Sequence, residues 1–339
     1  MKEKGIVDLT LSENLYGPSP ECLEVLGNYG SLNLYERKSH LISKLSEMFG
    51  IGEEHIFTGS GGHGVLKVIF NAKRKGKLLL PKYSWRMFDV FAKEDGYDVS
   101  FFEQGEDFAY KHEKIIKANE KIKPDITLIC SPNNPTANSI KTKDLEKVLK
   151  NARGLVVLDE IYVNFSEKSE RESIDLAKEY SNLITVRSFS KGYALANPKI
   201  GYGVSGKDVK KLFGYHPNLP LNINGLNDEI AVAALESRDY YEDIWNKTKN
   251  DRDKLNGKIN EIPGCKAYPS DANFVFARMH VAVIPVLRRK LEGRYKIKLF
   301  DDSEPEKYPR FIRIGIGTGE HTRDLIEIFD EIKTEFNPL

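Results

Sequence analysis

From about residue 36 to residue 213 the chain alternates stretches with apolar residues at helical spacing and short continuous apolar runs. The helical patterns include 36–49 and 142–149, and the apolar runs fall at 78–80, 126–130, 155–158 and 183–186. Short runs of this kind between amphipathic helices predict a largely parallel sheet covered by helices. Beyond residue 222 the rhythm changes. Positions 222–262 read as long helix, apolar on one face over 229–236 and then charged through Lys258; a strand at 273–276, a helix at 283–291 and a strand at 311–316 outline a smaller α/β unit. The expected division is an N-terminal arm over 1–30, a large unit over 31–235 and a small C-terminal unit over 236–339. The arm is expected to fold back toward the small unit and bring Tyr16 to the substrate side.

Ligands of such sheets collect at the carboxyl ends of the strands, where this chain places its most distinctive residues. Val156-Val157-Leu158 delivers Asp159-Glu160-Ile161-Tyr162, the run ending at Cys130 opens into Ser131-Pro132-Asn133-Asn134-Pro135-Thr136, and the run 183–186 leads to Ser188-Phe189-Ser190-Lys191-Gly192. A lone lysine among serines and a glycine, together with a strand-end acid, is a layout for an aldehyde cofactor. The amine can form a Schiff base with pyridoxal phosphate, and a carboxylate keeps the pyridine nitrogen protonated. Lys191 and Asp159 suit those two places, although either stretch alone reads equally well as a surface lysine or a helix-capping acid. Gly59-Ser60-Gly61-Gly62-His63-Gly64 lies between Ile56-Phe57 and an amphipathic stretch over 65–72. Its backbone N–H groups would point at an anion from a helix N-terminus.

In their order and spacing these motifs resemble those of the pyridoxal phosphate aminotransferases of the aspartate-aminotransferase fold type. Within them the chain looks most like the histidinol-phosphate aminotransferase group, whose members carry S-P-N-N-P-T, D-E-x-Y and S-x-S-K in sequence. Leu11-Ser12-Glu13-Asn14-Leu15-Tyr16-Gly17-Pro18 is similar to the N-E-N-P-Y-G-P segment of that group, and Arg313-Ile314-Gly315-Ile316-Gly317-Thr318 to its R-I-x-x-G-T segment. The likeness covers nearly the whole chain. It implies a fold type I transferase with pyridoxal 5'-phosphate on Lys191, Asp159 at the pyridine nitrogen, and Asn134 and Tyr162 at the phenolic oxygen. Gly62 and His63 would hold the phosphate through their backbones, with Ser188 and Ser190 adding hydroxyls, and Trp85 would stack on the ring. Arg313 matches the arginine that grips a substrate carboxylate, a task for a planar fork of donors. Tyr16 and Asn14 are further substrate candidates, with Arg323 beside them for a substrate phosphate. Tyr35 matches a tyrosine that reaches the cofactor phosphate of the neighbouring subunit, and with the breaker-rich segment 217–222 it implies a homodimer with shared sites.

Two positions depart from the group's pattern. Lys199 stands where an arginine follows the cofactor lysine, which keeps the charge and loses the fork. Ala137-Asn138 follows Pro135-Thr136 where a glycine is usual, a change expected to cost little because the turn is set earlier. The implied activity is transfer of an amino group between an amino acid donor such as glutamate and a small keto or aldehyde substrate, phosphorylated by analogy with the group. Decarboxylation of a phosphorylated amino acid is the alternative in the same fold, since it uses the same lysine, acid and phosphate cup.

Composition adds exclusions. The 339 residues carry 51 basic and 50 acidic side chains, spread rather than clustered, so nothing suggests a nucleic-acid surface. The three cysteines, Cys22, Cys130 and Cys265, lack metal-ligand spacing, and their odd number speaks against a disulfide framework and for a reducing cytoplasm. No apolar run is long enough to cross a bilayer. No G-x-G-x-x-G follows the first strand, which disfavours a dinucleotide-binding dehydrogenase. A binding protein that kept the fold and lost the chemistry would be expected to lack at least one of Lys191, Asp159, Tyr162 and Asn134.

Overall fold

The computed structural model describes residues 5–35, 38–72, 75–214 and 223–336. The apolar runs form the middle of a seven-stranded sheet, in the order Ile56–Ser60, Ile200–Ser205, Leu183–Ser188, Leu155–Asp159, Ile126–Cys130, Lys77–Pro81, Asp98–Phe102. Every residue of Ile126–Cys130, Leu155–Asp159 and Leu183–Ser188 is buried. Each apolar side chain so enclosed stabilises the sheet by about 1.5–3 kcal/mol, which is why these strands read as continuous rather than alternating patterns.

All pairings are parallel except those of Ile200–Ser205, which runs antiparallel to both neighbours. That strand and Asp98–Phe102 were not expected from the apolar pattern. Gly201 and Gly203 interrupt the first, and packing demands them: a Cβ at Gly201 would stand 2.5 Å from Gly61 C, and one at Gly203 2.3 Å from Phe57 Cζ. The helix expected over 36–49 is present as His40–Phe49, with the Ser39 hydroxyl accepting from Ile42 N; Glu36 lies outside the described residues, as does the segment 217–222 with Asn222.

Beyond the sheet, two hydrophobic clusters share the helix Arg238–Asn260. Its Tyr241 and Trp245 pack with Leu41, Phe189 and Tyr193, whereas Leu255 and Ile259 pack with Val275, Leu287, Ile314 and Phe329. The second cluster fills an antiparallel sheet ordered Lys298–Leu299, Phe311–Gly315, Phe274–Arg278, Lys266–Ala267. The first residues of the arm dock on this part of the molecule, where Val7 and Asp8 pair with Tyr295 and Lys296 and Gly315 N donates to Leu9 O at 3.1 Å, whereas its helix Pro20–Asn28 packs through Cys22 on the helix Gly225–Glu236. Among the described residues no helix is long and apolar enough to cross a membrane.

Candidate active site

Parallel register aligns the strand ends. Cys130 pairs with Asp159 and Asp159 with Val186, so the turn 131–138, the Asp159–Tyr162 segment and the Ser188–Lys191 loop emerge side by side. They border a cavity of about 630 Å³ lined by Gly61, Gly62, His63, Gly64, Trp85, Asn134, Asp159, Tyr162, Ser188, Ser190, Lys191, Lys199 and Arg313. Eleven of the fifteen residues singled out from sequence thus meet in one place. Leu11, Glu13, Ser60, Phe88, Cys130 and Ala196 line it as well and were missed; Glu13 lies in the quoted arm segment, which was the available signal.

Asp159 is 2% exposed, and its Oδ1 accepts from Ile161 N at 3.2 Å. No basic group among the described residues pairs with it, and burial pushes its carboxyl up to about 7, against the opposing pull of that hydrogen bond. The Lys191 amine donates to the Leu11 carbonyl at 2.6 Å and lies 5.8 Å from the Tyr162 ring centre. The side chain is partly buried and open to the cavity. Enclosure first, then the Arg313 charge, lower its amine to about 8, with Glu13 opposing.

Arg313 is buried on the strand Phe311–Gly315 rather than on a solvated face. It donates to Asn134 Oδ1 through Nη1 and to the Thr10 carbonyl through Nη2, and stands over the Phe274 ring at 5.2 Å. Its Nε is buried without a hydrogen-bond partner. Asn134 Nδ2 donates to the Tyr162 hydroxyl at 3.3 Å, and burial holds that phenol well above its usual range. Ser188 Oγ donates to Ser190 Oγ at 3.0 Å. The His63 ring stacks on Phe91, centroids 3.8 Å apart, and burial lowers its pKa, with Lys67 and Lys199 adding to the effect. Trp85 meets Phe88 and Phe91 edge-on.

Three expectations change. Tyr16 does not reach this cavity: its hydroxyl accepts from Gly319 N at 3.1 Å, and with Arg323 it lines a separate cleft. Asn14 is also outside, because Nδ2 donates to the Gly192 carbonyl at 3.0 Å while Oδ1 accepts from Tyr16 N at 3.1 Å; the arm's path spends its amide on the backbone. Ala137 sits at φ +64°, a left-handed conformation that costs a residue with a Cβ roughly 1–2 kcal/mol. The substitution for glycine is therefore not free, since the turn needs that conformation at this very position. Tyr35 is 98% exposed and lies away from the cavity of its own chain.

The residues present fit pyridoxal phosphate. The helix Gly61–Ala72 opens toward the cavity with N–H groups that have no partner within the helix. The floor beside it leaves little room for a side chain, because a Cβ at Gly62 would stand 3.1 Å from Ile161 Cγ2 and one at Gly64 3.1 Å from Gly59 C. Asp159 supplies a buried acid lacking a counter-charge, and Lys191 a depressed amine.

Comparison with known proteins agrees. Residues 4–329 match the family model for aminotransferase class I and II. Histidinol-phosphate aminotransferase 2 of Archaeoglobus fulgidus is 32% identical over 337 residues, covering 97% of this chain and 94% of the relative. The histidinol-phosphate aminotransferase of Caldanaerobacter subterraneus subsp. tengcongensis is 30% identical over 319 residues, covering 91% and 89%. The crystal structure of histidinol-phosphate aminotransferase from Sinorhizobium meliloti in complex with pyridoxal-5'-phosphate superposes with a TM-score of 0.84 at 20% identity, covering 99% of this chain and 92% of that one. L-Threonine-O-3-phosphate decarboxylase from Porphyromonas gingivalis shares the fold with a TM-score of 0.79 at 19% identity, covering 96% and 99%. With its cofactor cavity assembled at the strand ends, the chain belongs to the class I and II aminotransferases, as a pyridoxal phosphate-dependent enzyme.

Proposed function

We propose that the enzyme exchanges an amino group between glutamate and a small phosphorylated ketone or aldehyde of the kind its histidinol-phosphate relatives are named for. The observation that carries the reading is Arg313, buried in the same cavity as Lys191 with its fork held by Asn134 and Thr10. A carboxylate reader beside a proton-transfer lysine suits an amino acid donor bound with its carboxylate fixed.

Pyridoxal phosphate supplies, when bound, a covalent anchor for the amino group and an electron sink for the charge left at the α-carbon. Lys191 holds the cofactor through its Nζ. With the donor amine in its place, that Nζ would move the proton from the donor's Cα to the cofactor carbon that had held the lysine and, in the second half of the cycle, would return a proton from that carbon to the acceptor carbon. With its pKa near 8, a useful fraction is neutral around neutral pH. Asp159 holds a positive ring nitrogen; Asn134 and Tyr162 donate to the phenolic oxygen. The N–H groups of Gly62 and His63, with the hydroxyls of Ser188 and Ser190 and the Lys199 ammonium, hold the phosphate, and Trp85 covers the ring and excludes water. Arg313 keeps the donor carboxylate in one orientation, which favours loss of the α-proton over loss of carbon dioxide.

Further features support a homodimer in the cytoplasm. Leu23, Leu26, Leu32, Leu34 and Tyr35 are all more than half exposed, an apolar face suited to a second copy with Tyr35 reaching its cofactor phosphate. All three cysteines are unpaired, as in a reducing compartment. The division into arm 1–30, large unit 31–235 and small unit 236–339 is supported by the second hydrophobic cluster, drawn from residues 255–332 with Leu9 of the arm, while the first joins Cys22 of the arm and Tyr241 and Trp245 of the helix Arg238–Asn260 to the large unit.

Adding glutamate alone to the loaded enzyme should remove the colour of the lysine-bound cofactor and release one equivalent of 2-oxoglutarate per chain, and a keto phosphate should restore the colour. Persistent colour with every amino donor, together with carbon dioxide released from a phosphorylated amino acid, would replace this reading with the decarboxylase.

A further inference from the structure

The carbonyl of Gly192, the residue after Lys191, accepts two side-chain hydrogen bonds from distant segments. Asn14 Nδ2 reaches it from the arm at 3.0 Å and Trp245 Nε1 from the helix Arg238–Asn260 at 2.9 Å. A third segment closes on the same residue, since a Cβ at Gly192 would stand 2.3 Å from Asn164 Oδ1. These contacts join in a circuit. Asn164 Nδ2 donates to Glu170 Oε1, Arg238 Nη1 donates to Glu170 Oε2 at 2.8 Å, and the Arg238 guanidinium lies 5.6 Å over the Trp245 ring. Trp245, 4% exposed, also meets Tyr193 edge-on with centroids 5.4 Å apart. Two donors use both lone pairs of one carbonyl oxygen, which holds the Gly192–Tyr193 peptide, one residue beyond Lys191, in a single orientation. Neither Asn14 nor Trp245 lines the cofactor cavity.

We propose that Trp245 and Asn14 are positioning residues for Lys191: by gripping the Gly192 carbonyl from helix and arm, they fix the direction in which the lysine side chain leaves the backbone and keep its amine inside the cavity. The inference rests on the reading of Lys191 as the residue that holds the cofactor. A rotation of this peptide passes back through Gly192 to Lys191 and is magnified along the four-carbon stem, so a loosened loop takes the amine further into water. The charged and titratable groups facing it are Arg313 from its strand, Glu13 from the arm and Tyr162 beyond its strand end, with Asp159, His63 and Lys199 around the same cavity. Enclosure and Arg313 keep the amine near 8. An amine that reaches solvent moves back toward its ordinary, higher range.

Trp245→Phe keeps a ring against Tyr193 and removes the donor; Asn14→Leu removes the other. The full-length chain is stripped of cofactor, and pyridoxal phosphate uptake is followed by absorbance of the lysine-bound form across a pH series. Wild type should give a rate that rises with pH through a midpoint near 8. In the double variant the midpoint should move up by about one unit, with uptake near neutral pH slowed roughly tenfold and the high-pH rate retained. Trp245→Phe alone should shift it part of the way, and it decides the matter if the double variant does not fold. A lowered melting temperature with an unmoved midpoint would make both residues merely structural and overturn the proposal. Wild type that takes up no cofactor, or binds it elsewhere than Lys191, would instead overturn the underlying reading.

Discussion

Asp159 and Glu160 are consecutive, both carboxylic and both buried, yet the fold treats them in opposite ways. Strand alternation turns them to opposite faces. Because Asp159 sits beside Val186 in register, Glu160 falls next to Arg187, which contacts it at 2.7 Å through Nη2 and 3.0 Å through Nε. Ser173 Oγ donates to the same carboxylate at 2.5 Å. Among the described residues Asp159 receives only the Ile161 N–H, and burial raises it to about 7. A buried charge that the chain neutralises from its own residues is scaffold. One left without a counter-charge, at a cavity, suits the positive group of a ligand, the role we propose for Asp159.

The widest separation between the two should appear in substitution. Asp159→Asn should leave cofactor uptake intact while lowering kcat on the order of a hundred- to a thousandfold, the usual effect of removing one fixed electrostatic group. Glu160→Gln should do the reverse, costing about 3–5 kcal/mol of stability by stranding Arg187 while the folded fraction turns over near the wild-type rate. Denaturant melts read beside single-turnover kinetics would check both, and a stability loss without a kinetic one in Asp159→Asn would collapse the distinction.

Next comes pH. An acid whose pKa is higher folded than unfolded makes the native state bind more protons between the two values, so stability falls as pH rises from about 4 to about 7. For the cofactor-free chain the loss from Asp159 is on the order of 4 kcal/mol across that window. Asp159→Asn should flatten this part of the profile and Glu160→Gln should not. Loading pyridoxal phosphate should flatten it as well, since a positive ring nitrogen favours the ionised acid. The smallest effect expected is that of Arg187→Lys, which keeps a cation beside Glu160 but loses the fork. It should cost about 1–2 kcal/mol in melts and leave the Asp159-dependent slope unchanged.

The chemistry of the site was legible because it sits where continuous apolar runs stop. Asp159, Asn134 and Lys191 could be placed at strand ends from local pattern alone. The Glu160–Arg187 pair could not, since only the register of two strands brings it together. The strand Ile200–Ser205 was hidden by glycines whose purpose lies in other elements, Phe57 and Gly61. Asn14 and Tyr16 were assigned to substrate on the arm segment's likeness, and the arm's path over Gly192 and Gly319 gives them backbone partners that no local pattern encodes. Ala137 was misjudged because a left-handed φ leaves no trace in composition.

The most direct test of the account is a double-replacement cycle between Asp159 and the cofactor's ring nitrogen. Turnover is measured for wild type and Asp159→Asn, each loaded with pyridoxal phosphate or with an analogue carrying carbon in place of that nitrogen. If Asp159 acts through the nitrogen, either replacement alone should lower kcat by a similar factor and the two together by no more than the larger. Losses that multiply would mean that Asp159 acts elsewhere, and would contradict the assignment of the unpaired acid to the cofactor.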